Sequence, residues 1–503
     1  MWINLIIYFA TFVIAVVAYF KWSFGYWKKQ GVPYLPSSIP FGTMNNPFTL
    51  SEAIADNVFR QYMESKALGY KYVGLYGLTI PQFMVIDPQL IKNVLIKDFQ
   101  HFTDRGFYYN EKDDPLSAHL FSLAGQKWRR LRAKLTPTFT SAKMKTMNKF
   151  VVSCGYQLRD ALAVRCAQGP IDIKDLLERY TTNVIGSCAF GIECNSFTDP
   201  SNEFCKYTKK QFLPTTFQNL KMFVSFMFPS FAEMIRMKVV TEGVTNFFMK
   251  TVRESVEIRK GTSEVRNDFL QILIELMKSE RSDNNGDAIT IEEVAAQAFL
   301  FFLAGFETSS STMSFCLYEL SQNQDVQQKV RDEIDAVLKK YDGEITYDAL
   351  KEMEYMGCVI NETLRKYPPV PVLNRKCVLD YQIPNTDVII EKGINVVIPL
   401  IGLQRDPDYF DDPEKFDPDR FTKSNIEKVT QFSYMPFGEG NRICLGLRFG
   451  LMQTKIGLLL MLKNFKFSLS DKTQTPIQLN PICFVLSVQG GIWLNAEKIS
   501  EAK

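Results

Sequence analysis

One cysteine stands in a setting that can keep its sulfur anionic. Cys444 lies in the run Phe437–Gly446, after Gly438 and Gly440 and two residues beyond Arg442. Glycines leave backbone N–H groups free to point at a thiolate, and a nearby cation favours the deprotonated form. A lone cysteine is more often inert core. A soft anionic ligand without partner cysteines suits a metal held by one protein ligand, such as haem iron.

The remaining composition excludes other chemistries. His101 and His119 are the only histidines, so a multi-histidine metal site is excluded, and none of the ten cysteines forms a C-x-x-C pair. The 58 basic and 55 acidic residues give a formal charge of +3, without the basic excess of a nucleic-acid binder. Scattered cysteines in a long chain are typical of a reduced, cytosol-facing protein.

A long helix is predicted from Thr290, which opens a capping box with Glu293, to about Asn323. In its middle lies Ala304–Thr308, with Gly305 where alanine would be about 1 kcal/mol more favourable. The small pair either admits a bulky group to the backbone or permits tight helix–helix packing.

Strand patterns are short and come in pairs, at 70–87, 388–398 and 484–494, and each pair looks like a hairpin. Helical patterns fill most of the remaining chain. Together with 46% hydrophobic residues and 40 phenylalanines, they predict one large, mainly α domain with small β-hairpin sheets.

The chain opens with a candidate membrane anchor. Residues 2–20 are almost wholly apolar, and basic residues follow them but do not precede them. Such a length nearly spans a bilayer, and the charge bias places the body in the cytoplasm. We expect a transmembrane anchor at 1–21, a basic and proline-rich hinge at 22–42 and the body at 43–503. The rival, a cleaved signal peptide, lacks a basic start and a clear cleavage site.

The run Phe437–Gly446 reads F-x-x-G-x-R-x-C-x-G and resembles the haem-binding loop of the cytochromes P-450. The resemblance extends over about 33–503. Four further motifs support it: E-x-x-R at Glu362–Arg365, P-x-R-F at Pro418–Phe421, W-x-x-x-R at Trp128–Arg132 and A-G-x-E-T at Ala304–Thr308. Asp419 stands where glutamate is commoner. The loop at 105–121 is similar to the insect microsomal, xenobiotic-metabolising branch, insect family six.

The resemblance assigns roles to particular residues. It implies a single P-450-type haem-thiolate domain behind the anchor, with haem b bound and Cys444 as axial iron ligand. The other haem contacts would be Phe437, Arg442, Trp128, Arg132, Arg375, Ala304 and Gly305. A buried ionic triad would join Glu362, Arg365 and Arg420. Glu307 and Thr308 would be catalytic, organising water and delivering protons.

Substrate choice is expected to lie with apolar side chains. By their place in the family pattern, the pocket candidates are Phe107, Tyr108, Phe121, Phe302, Val370, Leu373 and Phe484; each can equally be plain core. A second apolar run, Phe223–Pro229, either lies between two mobile helices and dips into the bilayer or is a buried strand-like core segment.

The chain has no phosphate-binding loop and no credible G-x-G-x-x-G, so it needs electrons from a partner. The resemblance implies an endoplasmic-reticulum monooxygenase that uses O2 and lipophilic substrates such as plant toxins and insecticides. NADPH would act through cytochrome P-450 reductase, with cytochrome b5 as a further partner. Lys127, Arg130 and Lys134 form a basic stripe for reductase docking, or an ordinary solvated face. Alternatives are an endogenous lipid or hormone hydroxylase, a reductase-independent haem-thiolate isomerase, and a membrane-bound haem carrier without turnover.

Overall fold

In the computed structural model the chain folds into two compact units. The structure describes residues 1–45, 52–199, 201–212, 215–261, 268–282 and 289–499. The first unit comprises Met1–Gly106, Val370–Asp411 and Thr430–Arg442, and the second comprises Phe107–Pro369, Asp412–Val429 and Ile443–Lys503. The last residues of the predicted body, 500–503, lie outside the described part of the chain.

The first unit is built around a four-stranded sheet. Its strands run in the order Tyr72–Gly77, Ile80–Val85, Asn395–Ile398 and Leu373–Lys376, and a two-stranded ladder joins Tyr381–Gln382 to Ile389–Ile390. Its α-helices span Trp2–Ser23, Tyr26–Lys29, Ile54–Ala67, Pro88–Lys92 and Leu400–Leu403. The fully buried Val73, Phe83 and Val396 place the core of the unit at this sheet.

The apolar N-terminal segment forms a single helix, Trp2–Ser23, which is long and apolar enough to cross a membrane and has no buried residue. The segment after it packs on the sheet. Trp27 is fully buried, and its indole N–H donates to the Leu75 carbonyl at 3.0 Å. A side chain at Gly74 would collide with the Trp27 ring, so glycine is required there.

The second unit is mainly helical. A three-stranded sheet, in the order Ile171–Asp172, Trp493–Lys498 and Phe465–Leu469, is its only sheet among the described residues. The α-helices span Gly125–Leu135, Ser141–Arg165, Ile173–Ile185, Glu203–Phe212, Thr216–Met227, Pro229–Met234, Glu242–Gly261, Phe269–Ser282, Ile291–Gln322, Gln324–Lys340, Tyr347–Glu352, Glu354–Lys366 and Leu447–Asn464.

The Ile291–Gln322 helix, called the long helix below, organises this second unit. It begins with the predicted capping box, in which the Thr290 hydroxyl and the Glu293 carboxylate each accept a backbone N–H. The Ile173–Ile185 and Leu447–Asn464 helices pack against it. Most of its side chains after Phe306 are buried, which is typical of a helix surrounded by others.

The mainly helical fold with small sheets is confirmed, and so is the hairpin of Tyr72–Gly77 with Ile80–Val85. The other two hairpin predictions are wrong. Ile389–Ile390 and Asn395–Ile398 pair with different strands, and Trp493–Lys498 pairs with Phe465–Leu469. Alternation of apolar and polar residues indicates a strand but not its partner. The run at 223–229 is not a strand, because it comprises the end of the Thr216–Met227 helix, the single residue Phe228 and the start of the Pro229–Met234 helix.

Candidate active site

Cys444 differs from the other nine cysteines in exposure. It is the exposed one, whereas seven are buried and Cys166 and Cys483 are intermediate. Burial raises the pKa of the Cys154 and Cys316 thiols to about 12, so these remain protonated. Cys444 lies three residues before the Leu447–Asn464 helix, in the second unit. The partial positive charge of a helix N-terminus favours a thiolate.

A metal bound by the Cys444 sulfur would need its remaining ligands from a cofactor, because the described protein side chains nearby do not supply them. Within the described residues, no three His, Cys, Asp or Glu side chains converge to hold a metal ion. Haem needs only one ligand from the protein, because the porphyrin itself supplies four nitrogen ligands to the iron. The donor set at Cys444 therefore fits haem and does not fit a bare metal ion.

The Arg132 guanidinium is a positive charge near Cys444. It lies one turn after the buried Trp128 on the Gly125–Leu135 helix, so the two share a face. Burial lowers the pKa of the Arg132 guanidinium, and the negative charge on the Cys444 sulfur acts in the opposite direction. No carboxylate pairs with Arg132 in the described part of the chain. A bound carboxylate, such as a haem propionate, would complete this arrangement.

Arg375, in the first unit, is a second cation for which the described residues provide no paired carboxylate. It lies in the Leu373–Lys376 strand, is 2% exposed, and donates one N–H to the Asn374 carbonyl at 2.9 Å. Its Nε has no hydrogen-bond partner among the described residues. Burial, with a contribution from Arg105, lowers the pKa of Arg375 to about 9. A buried cation of this kind is costly unless a ligand brings an anion, and haem brings two carboxylates.

Arg442 and the glycines before it are held within the first unit. The Arg442 Nε donates to the Thr103 carbonyl at 2.8 Å, and its guanidinium lies 3.5 Å from the Asp104 carboxylate. Gly440 has a left-handed φ of 72°, and a side chain there would collide with the Leu95 carbonyl. Phe437 is half-buried in the same loop. This close approach to Leu95 was not predicted from sequence.

The two small residues of the long helix, Ala304 and Gly305, lie on different faces of the helix. Ala304 is exposed, whereas a side chain at Gly305 would collide with Ile185, so tight helix–helix packing accounts for this glycine. Thr308 is half-buried, and its hydroxyl donates to the Ala304 carbonyl at 2.6 Å. Thr308 and Ala304 thus lie one turn apart on the more exposed face.

Glu307 points to a different face. Its side chain is only 8% exposed and pairs with Lys174 of the Ile173–Ile185 helix at 2.9 Å. Lys174 was not predicted from the sequence. A lysine as the second residue of a helix, where a positive charge is unfavourable, was the signal that could have found it.

The ionic triad comes together within the second unit. Arg365 donates to both oxygens of Glu362, at 2.7 and 2.9 Å, and the Arg420 Nε lies 3.5 Å from the same carboxylate. The Glu362 and Arg365 side chains are fully buried. The Asp417 backbone N–H also donates to Glu362, at 2.9 Å. The carboxylate thus ties the Glu354–Lys366 helix to the segment around Pro418–Phe421.

We expect Glu362→Gln to destabilise the protein by ~3–5 kcal/mol, because Arg365 stays buried without a counter-charge. Glu354→Gln is the matched control on the same helix, since its 2.5 Å pair with Lys423 is largely exposed, and it should cost less than ~1 kcal/mol. Denaturant unfolding measures both. Equal effects of the two substitutions would contradict the structural importance of the triad.

The pocket candidates occupy different surroundings. Phe107 packs on Phe121 and Phe226, with ring centroids 5.1 and 5.5 Å apart. Phe302 is fully buried among other phenylalanines of the second unit. Phe484 is half-buried in the second unit, whereas Val370 and Leu373 are half-buried in the first. Their contact with substrate stays a prediction.

A pair of aspartates joins the loop after Phe107 to the segment at 236–240. Asp113 pairs with Arg236 at 2.7 Å. Asp114 is buried and accepts the backbone N–H groups of Val239 and Val240 at 2.7 and 3.0 Å. The Tyr108 hydroxyl donates to the Met237 carbonyl, which adds a third link. Tyr108, one of the pocket candidates, is therefore held at its hydroxyl end.

Comparison with known proteins agrees with these geometric features. The family described as Cytochrome P450 matches residues 36–494. Cytochrome P450 6a2 of Drosophila melanogaster is 42% identical over 98% of this chain and 99% of its own length. Cytochrome P450 6A1 of Musca domestica is 40% identical over 98% and 97%. This chain belongs to the cytochrome P450 family of haem-dependent monooxygenases, in which it is similar to insect family-six members.

Proposed function

We propose that this monooxygenase oxidises lipophilic foreign compounds at the endoplasmic-reticulum membrane, with NADPH electrons delivered by cytochrome P450 reductase and cytochrome b5 as a further donor. The observation that carries the proposal is the half-exposed Thr308 on the long helix, next to the buried Glu307. A rearranging haem-thiolate enzyme would not need this pair, because it consumes no protons. Similarity to insect family-six proteins supports foreign compounds as substrates.

Each protein group has a defined part in this reaction. Haem b, when bound, supplies oxygen activation and the oxidant. Cys444 would hold the iron, and its anionic sulfur would donate electron density to it. Arg132 and Arg375 would bind carboxylates of the cofactor and fix its orientation. Thr308 would hold a proton-donating water with its hydroxyl, and Glu307 would supply the proton. Ala304 would leave room beside the helix for the cofactor.

Reductase docking is proposed for the basic side of the Gly125–Leu135 helix. Lys127, Arg130 and Lys134 lie on this helix, and an acidic flavoprotein would be steered by their charge. Lys127 is 63% exposed but also pairs with Glu111 at 2.6 Å. Docking would therefore exchange one carboxylate for another at Lys127, and rising salt should slow reduction.

Two apolar surfaces support membrane attachment. The first is the Trp2–Ser23 helix. The second, in the other unit, is formed by the exposed side chains of the Thr216–Met227 and Pro229–Met234 helices and the next residue: Phe217, Leu220, Met222, Phe231, Met234 and Ile235. We infer that the first helix anchors the protein with the catalytic body in the cytosol. The second surface would rest on the lipid and admit lipophilic substrates.

Deletion of residues 2–20 is expected to release most of the protein from membranes, but not all of it. The anchor is lost, while the apolar surface around Phe217 and Met234 still gives weak, reversible binding. Flotation with lipid vesicles measures the bound fraction. Adding Phe217→Ser and Met234→Ser to the deletion should abolish the residual binding. A deletion variant that is already fully soluble would remove the case for the second surface.

Reconstitution with purified reductase in lipid vesicles tests the proposed function. Insecticides, plant toxins and endogenous lipids or hormones form the substrate panel, and NADPH use and product are measured together. Reductase-dependent product from foreign compounds supports the proposal. Efficient turnover of endogenous lipids alone would make the protein an endogenous hydroxylase. Rearrangement of a lipid peroxide without reductase, with no NADPH-dependent product from any compound of the panel, would contradict reductase dependence.

A further inference from the structure

Lys174 is the centre of a buried polar cluster between two helices of the second unit. Its ammonium group donates to the Glu307 carboxylate at 2.9 Å, to the Ser310 hydroxyl at 2.9 Å and to the Ser311 hydroxyl at 2.7 Å. These contacts use all three N–H groups of a lysine. The Ser311 hydroxyl also lies 3.4 Å from the Glu307 carboxylate. The cluster therefore holds Glu307 in one orientation.

Lys174 stands where local helix preferences disfavour it. It is the second residue of the Ile173–Ile185 helix, whose N-terminus is capped by the Asp172 carboxylate. A positive charge there opposes the helix dipole. Lys174 also precedes Glu178 by four residues, which is the weaker order for a helical ion pair. Local conflicts of this kind are expected at functional positions.

Glu178 lies between this cluster and solvent. Its carboxylate lies 3.8 Å from the Lys174 ammonium, and its side chain is 24% exposed, against 8% for Glu307. Burial raises the pKa of Glu178 to about 7, and neighbouring carboxylates act in the same direction while Lys174 opposes them. The titratable groups around it are Lys174, Asp175, Asp172 and Glu307, with the Cys483 thiol on the segment after Asn480.

We propose that Glu178 and Lys174 form the outer part of a proton route that ends at Glu307, an inference that rests on the proposed role of Glu307 in proton supply. Glu178 takes a proton from solvent. It passes this proton to Lys174, through one water or a side-chain rotation, as Lys174 passes one of its own to the Glu307 carboxylate. The step leaves a neutral Glu307, an ammonium at Lys174 and a Glu178 carboxylate ready for reprotonation. No electrons move.

Glu178→Gln tests the route, because glutamine keeps the shape of the side chain but cannot donate a carboxyl proton. In the reconstituted enzyme, product per NADPH should fall by about tenfold as pH rises through about 7, when Glu178 loses its proton. In Glu178→Gln the ratio should be low and independent of pH over the same range. Glu257→Gln, an exposed carboxylate on the Glu242–Gly261 helix, is the matched control and should follow the wild type.

A second readout does not depend on turnover. In the folded protein the pKa of Glu178 is about 7, above its ordinary value of 4.5. The folded state therefore disfavours the ionised form. The stabilisation that protonated Glu178 contributes to the wild type is fully present below about pH 4.5 and is lost progressively up to about pH 7. The thermal midpoint of the wild type should decline relative to that of Glu178→Gln across this window. Parallel midpoints would overturn the assigned titration.

Two further variants separate this inference from the function on which it rests. Glu307→Gln should lower product per NADPH at every pH; if coupling is unchanged, the proposed role of Glu307 fails. If Glu307→Gln uncouples turnover while Glu178→Gln keeps the wild-type pH profile, the route through Glu178 is overturned. Lys174→Arg keeps the charge but holds its protons too tightly to relay them. If Lys174→Arg keeps the wild-type ratio of product to NADPH, Lys174 does not relay protons and serves only as the partner of Glu307 in a structural ion pair.

Discussion

Cys444→Ala should abolish all product formation. It should also abolish the absorbance at about 450 nm that thiolate-ligated haem gives when the protein is reduced and bound to carbon monoxide. The physical reason is that no other thiol can take its place. Seven cysteines are buried, and Cys166 and Cys483 are only partly exposed. The spectrum of membranes or purified protein, together with product assays, measures the loss. A variant with an unchanged spectrum would show that the iron ligand lies elsewhere.

Cys316→Ala is the matched control for this change. Cys316 is fully buried on the long helix, and burial raises the pKa of its thiol to about 12. A protonated sulfur without solvent access cannot ligate iron as a thiolate. The control should therefore keep the spectrum and lose at most some stability through the cavity it creates.

Thr308→Ala should uncouple turnover without stopping electron flow. Reduction requires the thiolate and the docking surface, and this change touches neither. Product formation requires a proton donor held at the right place, and the half-buried Thr308 hydroxyl is the group that can hold a water there. With reductase and an accepted substrate, NADPH use should persist, product per NADPH should fall by about tenfold, and hydrogen peroxide should rise.

Ser309→Ala is the control one position along the helix. Ser309 is buried and faces the Leu447–Asn464 helix, where its hydroxyl lies 4.0 Å from the place a side chain at Gly450 would occupy. It cannot take over from Thr308 in this orientation. Wild-type coupling is expected for Ser309→Ala, and the double variant should match Thr308→Ala. Coupling that falls further in the double variant would contradict this assignment.

The fold class followed from local signals, and the sheet partners did not. The capping box at Thr290 and the unbroken helical pattern after it predict the long helix to within one residue. Strand pairing depends on contacts between distant segments, such as Leu373–Lys376 with Asn395–Ile398. Nothing in the residues around Gly393 or Gly490 records which distant strand each segment meets. For that reason two hairpin predictions were wrong.

The candidate site divides in the same way. The resemblance to the cytochrome P450 family predicted Cys444, Arg132 and Arg375 as haem contacts. It could not show that the Arg375 Nε has no hydrogen-bond partner among the described residues, or that a side chain at Gly305 would collide with Ile185. Lys174 escaped for the same reason: its partner Glu307 is 133 residues away, and only the packing of two helices joins them.

The aspartate pair at 113–114 has a consequence for motion in the second unit. The segment at 237–240 has no regular secondary structure, yet Asp114 fixes two of its backbone N–H groups and Asp113 fixes Arg236. We therefore expect the loop and the segment to move together. The exposed Arg236 pair should weaken as ionic strength rises, whereas the buried Asp114 contacts should be the last to break.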